Sequence, residues 1–203
     1  MKIAVLADNA KWNEFMLEAG NAVWIRCMTE KDFFENIDAD IYINLMEDAF
    51  AKDYSQIKKP VLINSVTNTL KEINAAENVL RINGWDSFLS RSNWEVAGKM
   101  NKRVEHFFTA IKKTFIIVPD ESGLIAARII SMIINEAYFA LDENLSTRDE
   151  IDTAMKLGTK YPYGPFEWCD KIGVKKVFSL LQKLSATDKR YLPAPLFLKN
   201  SLL

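Results

Sequence analysis

The chain of 203 residues contains one histidine, His106, and this count limits the chemistry that the sequence can support. A single imidazole excludes metal sites built from several histidines, and a histidine acting as general acid or base would have to be His106. Glycine is also scarce, because the chain has only 7 and contains neither G-x-G nor G-x-x-x-x-G-K. The sequence therefore lacks the common glycine-rich loops that bind phosphate groups.

Two cysteines, Cys27 and Cys169, are far apart in the sequence and form no C-x-x-C motif. We therefore expect neither a metal site nor a disulfide framework. The more natural interpretation is two small buried side chains in a reduced compartment.

The charge is balanced, with 26 basic and 27 acidic residues and a net charge of -1. Because binding to nucleic acid phosphates requires a basic excess, we expect no nucleic-acid partner. The short apolar run before Asp8 does not make a signal peptide. The most apolar stretch, 124–141, contains Arg128, Asn135 and Glu136, so it predicts a core helix rather than a membrane span. We expect a cytoplasmic protein without a membrane partner.

The first 120 residues alternate short β-branched runs with helical patterns, which predicts a mostly parallel sheet covered on both faces. The predicted helices of this part include Lys11–Ala19 and Lys31–Ile37. The predicted strands are Lys2–Ala7, Ala22–Cys27, Ala39–Leu45, Pro60–Asn64, Asn78–Asn83 and Thr114–Val118.

After Pro119 the pattern predicts helices only. Leu124–Leu141 is apolar almost all round, as expected of a buried central helix. Thr147 and Glu150 form a capping box that opens a helix ending at Gly158, and Pro165 begins a further helix that stops at Gly173. The segment 174–184 predicts another helix, and 190–195 an extended tail. The fold class is therefore α/β followed by all-α.

One run in the helical half, residues 135–173, closely resembles the C-terminal domain of the 3-hydroxyacyl-CoA dehydrogenase family. The matching pieces are Asn135-Glu136-Ala137, the I-D-x-A-M-K-L-G stretch from Ile151 to Gly158, and the Y-P-x-G-P-F-E stretch beginning at Tyr161. The resemblance extends more weakly to the N-terminus. It implies a Rossmann-like domain over 1–119, shortened and degenerate, and a helical domain over 120–203 that dimerises.

The resemblance also implies NAD as cofactor and oxidation of the 3-hydroxyl of a fatty acyl-CoA. Dinucleotide binding needs glycines after the first strand, and the family's three glycines fall on Ala7, Asn9 and Trp12. Asp8 would place a carboxylate where the pyrophosphate lies, and the acidic residue that holds the ribose falls on Cys27. We therefore predict no intact cofactor-binding residues and no cofactor.

The family's hydride-transfer residues are a His, a Glu, a Ser and an Asn. Our alignment places the His position at Asp86, the Ser position at Asn68 and the Asn position at Ala127. Only the Glu survives, as Glu95. His106 lies on a different helix, where a surface or packing role is the ordinary interpretation. Asp86 would need strong desolvation to act as a base. We predict no intact catalytic site.

Two functional hypotheses follow. The first is a family member that has lost NAD binding and hydride transfer and keeps a binding, dimerisation or regulatory role, with an acyl-CoA or another small molecule as ligand. The alternative is an active NAD-dependent oxidoreductase on a 3-hydroxyacyl-CoA or a related hydroxy acid.

A homodimer through the helical domain, or pairing with a full-length relative, is expected. A basic helix face is most simply a solvated surface, although it could meet the phosphates of CoA; it comprises Lys99, Lys102, Arg103, Lys112 and Lys113.

Overall fold

The computed structural model describes residues 1–16 and 22–201, with the backbone alone at Asn36. The chain divides into two compact units, and the second begins at Ile125. None of the helices in the described part of the chain has the length and apolar character that a membrane crossing requires.

The first unit is built around a seven-stranded sheet with the order β2-β1-β3-β4-β5-β6-β7. Neighbouring strands are parallel except β5 and β6, which are antiparallel. The strands are β1 (Lys2–Leu6), β2 (Val23–Cys27), β3 (Ile41–Asn44), β4 (Val61–Asn64), β5 (Val79–Ile82), β6 (Asn93–Ala97) and β7 (Thr114–Ile117).

The central strands β3, β4 and β5 are buried at every position because the sheet is covered on both faces. Ile3 and Val5 of β1 belong to one buried cluster, while Ala4 and Leu6 belong to another. Alternate residues of a strand point to opposite faces, so each face has its own core. The α1 helix (Asn9–Met16) packs its Phe15 into the first cluster, as does the α2 helix (Lys102–Ala110) with Phe107.

The predicted mostly parallel α/β organisation is confirmed, with local differences. The sequence analysis missed β6, because its short N-W-E-V-A run alternates polar with apolar residues instead of forming a continuous apolar stretch. The helix predicted over Lys31–Ile37 is one π-helical turn, Asp32–Asn36, after which Ile37 is already extended. The last residues of the predicted Lys11–Ala19 helix lie outside the described residues.

The second unit contains only helices: α3 (Ala126–Asp142), α4 (Arg148–Thr159), α5 (Pro165–Ile172), α6 (Val174–Ser185) and α7 (Pro195–Ser201). The Thr147–Glu150 capping box is present. Gly158 does not end α4 as predicted, since the helix continues to Thr159 and Lys160 takes the left-handed conformation with φ 58. The tail is not extended, because residues 189–191 form a 3-10 turn and Pro195 begins α7.

Candidate functional site

The carboxyl edge of the sheet is where open α/β folds bind their ligands. The same dipeptide, Ile-Asn, occurs at the ends of three neighbouring strands: Asn44 and Asn64 are the last residues of β3 and β4, and Asn83 directly follows β5. All three asparagine side chains are buried. Ile-Asn also occurs at 73–74 and 134–135, so the dipeptide points to this edge only in combination with the predicted strands.

Two of these asparagines hold the loops that follow the strands. Asn44 donates from Nδ2 to the Tyr54 hydroxyl at 2.8 Å, and its Oδ1 accepts the Met46 amide at 3.0 Å. Asn64 accepts the Gly84 amide at 3.2 Å. A Cβ at Gly84 would lie 2.8 Å from the Asn64 carboxamide, so a residue with a side chain would displace that contact. Both amides therefore serve the architecture.

Asn83 differs from the other two. Its Oδ1 accepts the Trp85 amide at 3.2 Å, whereas its buried Nδ2 has no hydrogen-bond partner. The antiparallel register pairs Arg81 with Ala97 and Ile82 with Val96, so one further step places Asn83 opposite Glu95. Sequence reasoning missed Asn83. A carboxamide is not a base near neutral pH, so this position offers no proton acceptor for a hydroxyl oxidation.

Asp86 lies further along the same loop and is half-buried. Glu14 of α1 holds this loop, because its two carboxylate oxygens accept the Ser87 and Ser90 amides at 3.0 Å each. Glu95 is half-buried on β6. The loop is therefore fixed to α1 through Glu14.

The Asp8 carboxylate lies at the beginning of α1. Oδ1 of Asp8 accepts the Lys11 amide at 2.8 Å, so a carboxylate occupies the amino end of this helix. Helix amino ends attract anions through their free amides and the helix dipole, and in dinucleotide-binding folds the pyrophosphate uses this position. A pyrophosphate here would meet Asp8 as a like charge.

The Lys11 side chain is also directed into this edge. It is only 1% exposed, its Nζ donates to the Leu45 carbonyl at 3.0 Å, and it forms an ion pair with Glu47. The ammonium is therefore neutralised by the chain itself rather than left to bind an incoming phosphate.

The sequence alignment places Trp12 at the position of the family's third glycine. The Arg26 guanidinium lies 5.0 Å from the centre of the Trp12 ring, and its Nη2 donates to Oδ1 of Asn9 at 2.5 Å. Trp12 also packs against the buried cluster of Phe15. Two of the three glycine positions are thus joined by side-chain contacts, which close the space that glycines leave open in a dinucleotide site.

Cys27, at the position of the ribose-binding acid, cannot replace it. The thiol is buried, and burial raises its pKa to about 11, with Asp32 adding to the shift. A neutral thiol is a weak acceptor for ribose hydroxyls. Together with Asp8, Lys11 and Trp12, these residues do not fit the NAD-binding arrangement that the resemblance implies.

The other residues that the sequence analysis named lie in the loop after β4, in α3 and in α2. The main-chain carbonyl of Asn68 accepts the Ser65 hydroxyl at 2.6 Å and Nη1 of Arg81 at 3.3 Å. Ala127 is fully buried in α3, in the other unit. His106 lies on the exposed face of α2. No group of three or more His, Cys, Asp or Glu side chains in the described ranges could hold a metal ion.

Arg81 fixes the loop that contains Asn68. It is fully buried, its Nε lies 2.5 Å from Oδ1 of Asp120, and Nη1 donates to the Ser65 carbonyl at 3.0 Å. Nη2 donates to the Glu121 carbonyl. Burial lowers the pKa of Arg81, while the Asp120 carboxylate opposes that shift. One guanidinium thus joins the loop after β4 to the segment 120–121.

In the helical unit, the residues of the sequence motif build a joint between α4 and α5. Asp152 is buried, and its two oxygens accept the Phe166 and Glu167 amides at 2.8 Å and 3.1 Å. A Cβ at Gly164 would lie 2.4 Å from the Asp152 side chain. Nζ of Lys156 lies 2.5 Å from Oε1 of Glu167. The regular spacing of the motif therefore serves structure.

Comparison with known proteins gives a family match and two similar relatives. The family model described as 3-hydroxyacyl-CoA dehydrogenase, C-terminal domain, matches residues 123–201. The 3-hydroxyadipyl-CoA dehydrogenase of Escherichia coli (strain K12) is 39% identical over 93 residues, which cover 45% of this chain and 20% of that protein. The 3-hydroxybutyryl-CoA dehydrogenase of Bradyrhizobium diazoefficiens is 36% identical over 97 residues, 47% of this chain and 33% of that protein.

Among solved structures, the (S)-3-hydroxybutyryl-CoA dehydrogenase PaaH1 from Ralstonia eutropha superposes with a TM-score of 0.75 at 18% identity, covering 98% of this chain and 92% of that chain. M. tuberculosis FadB2 gives a TM-score of 0.72 at 14% identity, covering 97% of this chain and 92% of that chain. At this identity the likeness concerns the fold. The sequence matches span only a fifth to a third of the curated relatives' length.

Proposed function

The chain belongs, through its helical domain, to the 3-hydroxyacyl-CoA dehydrogenase family, and we propose that it has lost NAD binding and hydride transfer and acts as a binding protein. The observation that carries the proposal is the Asp8 carboxylate bound to the Lys11 amide at the beginning of α1. It puts a fixed negative charge where the cofactor's pyrophosphate would need one or more free amides.

The surroundings of Asp8 support the same conclusion. Trp12 and Arg26 form a stacked pair beside it, and Lys11 is already paired with Glu47. At the other site, Asn83 stands opposite Glu95 and offers no basic nitrogen. Losses at two separate places are harder to reconcile with turnover than a loss at one.

The ligand we propose is an acyl-CoA, since the family acts on this class, and the assembly we propose is a homodimer through the helical domain. Support for the dimer comes from the beginning of α3, where Ile129 is 53% exposed and Ile125, the residue before the helix, is 45% exposed. Exposed aliphatic side chains one turn apart form an apolar stripe, and such stripes mark contacts between proteins.

The test measures cofactor binding and turnover on the full chain. NADH titrated to millimolar concentration should give no saturable quenching of tryptophan fluorescence. With acetoacetyl-CoA at high protein concentration, NADH should not be oxidised, while the Bradyrhizobium diazoefficiens enzyme serves as positive control. Binding of acetoacetyl-CoA alone, measured by calorimetry, should remain.

Turnover that disappears in Asp86→Asn or Glu95→Gln would overturn the proposal and establish the alternative, an active NAD-dependent oxidoreductase. Saturable NADH quenching that disappears in Arg26→Gln would also contradict it, because Arg26 lies beside Trp12 at the expected cofactor edge.

A further inference from the structure

A cavity with a volume of about 690 Å³ lies at the amino edge of the sheet, opposite the carboxyl edge described above. Its walls come from residues that precede three parallel strands, Asp40 before β3, Pro60 before β4 and Asn78 before β5, and from the first turns of α2. Ligand cavities are typically about 300–1,000 Å³ in volume. The cavity is separate from the carboxyl edge, where open α/β folds bind their ligands.

Four of the nine residues that line the cavity are basic. Lys102, Arg103 and His106 reach it from one face of α2, and Lys58 reaches it from the segment before β4. Lys58 donates to the Ser55 carbonyl at 2.8 Å. In the described structure, the side chains of Lys102, Arg103 and His106 form no ion pair or hydrogen bond.

This grouping is unusual because the whole chain has a net charge of only -1. Lys102 and His106 are one helical turn apart, and like charges at that spacing repel when both are protonated. The backbone does not explain the grouping either, since Oδ1 of Asn101 already accepts the Arg103 and Val104 amides at 3.0 Å and 3.1 Å. The cations are therefore not needed to complete the beginning of α2.

One carboxylate, Asp40, shares the cavity. Its Oδ2 accepts the Lys2 amide at 2.8 Å, and this hydrogen bond, with weaker help from Arg103, holds the pKa of Asp40 below its usual range. Asp40 is thus ionised at neutral pH and cancels one cation. The lysines and the arginine still leave an excess of positive charge at this edge.

We propose that this cavity binds a phosphate group of a ligand, with Lys102 and Arg103 as its principal contacts and Lys58 on the opposite wall. Guanidinium and ammonium groups form their strongest hydrogen bonds with phosphate and carboxylate oxygens, and arginine can bind a phosphate in two-point fashion. The site uses neither α1 nor the strand ends of the carboxyl edge, so its test does not depend on the proposed loss of NAD binding.

The experiment is calorimetric titration of the full chain with inorganic pyrophosphate, repeated with Lys102→Gln/Arg103→Gln. The matched control is Lys175→Gln/Lys189→Gln, which removes the same charge from exposed positions of the helical unit. Loss of two charge-assisted contacts should weaken pyrophosphate binding roughly tenfold or more. The control should bind as the unaltered chain does.

A second arm separates a free phosphate compound from a lipid headgroup, using co-sedimentation with phosphatidylcholine vesicles that contain phosphatidic acid. Binding that is lost only in Lys102→Gln/Arg103→Gln supports the site, and the arm in which it occurs shows whether the phosphate belongs to a free compound or to a lipid headgroup. Binding that falls equally in both double variants, or no binding in either arm, overturns it. Circular dichroism of each variant shows whether its fold is retained.

Discussion

Asp8 accepts the Lys11 amide through Oδ1 at 2.8 Å, and the Lys11 ammonium then turns into the sheet edge to meet Glu47. Two oppositely charged residues three positions apart thus occupy both the amino end of α1 and the space behind it. In a dinucleotide-binding protein, glycines would leave that space to the ligand. The contact links the stability of α1 to the proposed absence of cofactor binding.

The first prediction concerns the cap itself. Asp8→Ala removes the acceptor for the Lys11 amide and should lower the free energy of unfolding by about 1 kcal/mol. Asp8→Asn keeps a capping oxygen and should lower the free energy of unfolding by only a few tenths of the Asp8→Ala effect. Urea unfolding followed by circular dichroism measures both. Equal effects of the two substitutions would mean that the hydrogen bond is not what stabilises α1.

The second prediction concerns Arg81, which is fully buried and bonds to Asp120 and to several carbonyls. Arg81→Leu leaves these acceptors and one carboxylate without their donor, and removing one partner of a buried pair costs about 3–5 kcal/mol. Since the Asp120 side chain is 28% exposed, water solvates its unpaired carboxylate in part. We therefore expect a loss of stability at the lower end of this range.

The control for Arg81 is Arg103→Gln, which removes the same charge from an exposed position and should leave the unfolding midpoint nearly unchanged. If Arg81→Leu unfolds at the same urea concentration as Arg103→Gln, the guanidinium network does not contribute to stability as argued.

The third prediction concerns the joint between α4 and α5. Gly164→Ala places a Cβ 2.4 Å from the Asp152 side chain, which must then give up its bonds to the Phe166 and Glu167 amides. We expect a loss of about 1–3 kcal/mol. Gly158→Ala, whose Cβ would meet nothing within 4 Å, should be neutral or stabilising. A Gly164→Ala variant as stable as Gly158→Ala would contradict this account.

The spacing of Asp152, Gly164 and Pro165 could be recognised from the sequence because each residue has a local backbone role there. Pro165 begins α5, and Asp152 reaches across to its first amides. The mostly parallel sheet could also be predicted, since a strand buried on both faces is apolar at every position. Strand β6 could not, because Asn93 and Glu95 interrupt its apolar residues.

The candidate site was harder to predict, because it depends on partners distant in sequence. Asn83 stands opposite Glu95 only through the antiparallel register of β5 and β6, which no local pattern reveals. Lys11 resembles any helix surface lysine, yet it is buried by contacts with Leu45 and Glu47. The Ile-Asn repeat at three strand ends was the one local signal available.

The fourth prediction concerns the thiols. Burial raises the pKa of Cys27 to about 11 and that of Cys169 to about 12, so neither forms appreciable thiolate at pH 8. Iodoacetamide should therefore modify neither cysteine in the folded chain and both in denaturant. Because the pKa values are raised in the folded chain, the stability that depends on keeping the buried thiols neutral is complete below about pH 8.5, the pKa of a thiol in an unfolded chain. It is lost as the pH rises toward 11. Labelling of Cys27 in the folded chain at pH 8 would contradict the prediction.

The fifth prediction concerns self-association. Ile125, the residue before α3, and Ile129 of α3 are both about half exposed. Ile129→Glu places a charge in the middle of this apolar stripe, and burying it against a second copy would require desolvating an unpaired carboxylate. Light scattering after size-exclusion chromatography should show a dimer for the unaltered chain and a monomer for Ile129→Glu at micromolar concentration. Leu157→Glu, at an 80% exposed position of α4, is the matched control and should remain dimeric. A dimer that survives Ile129→Glu and dissociates with Leu157→Glu would place the interface on α4 instead.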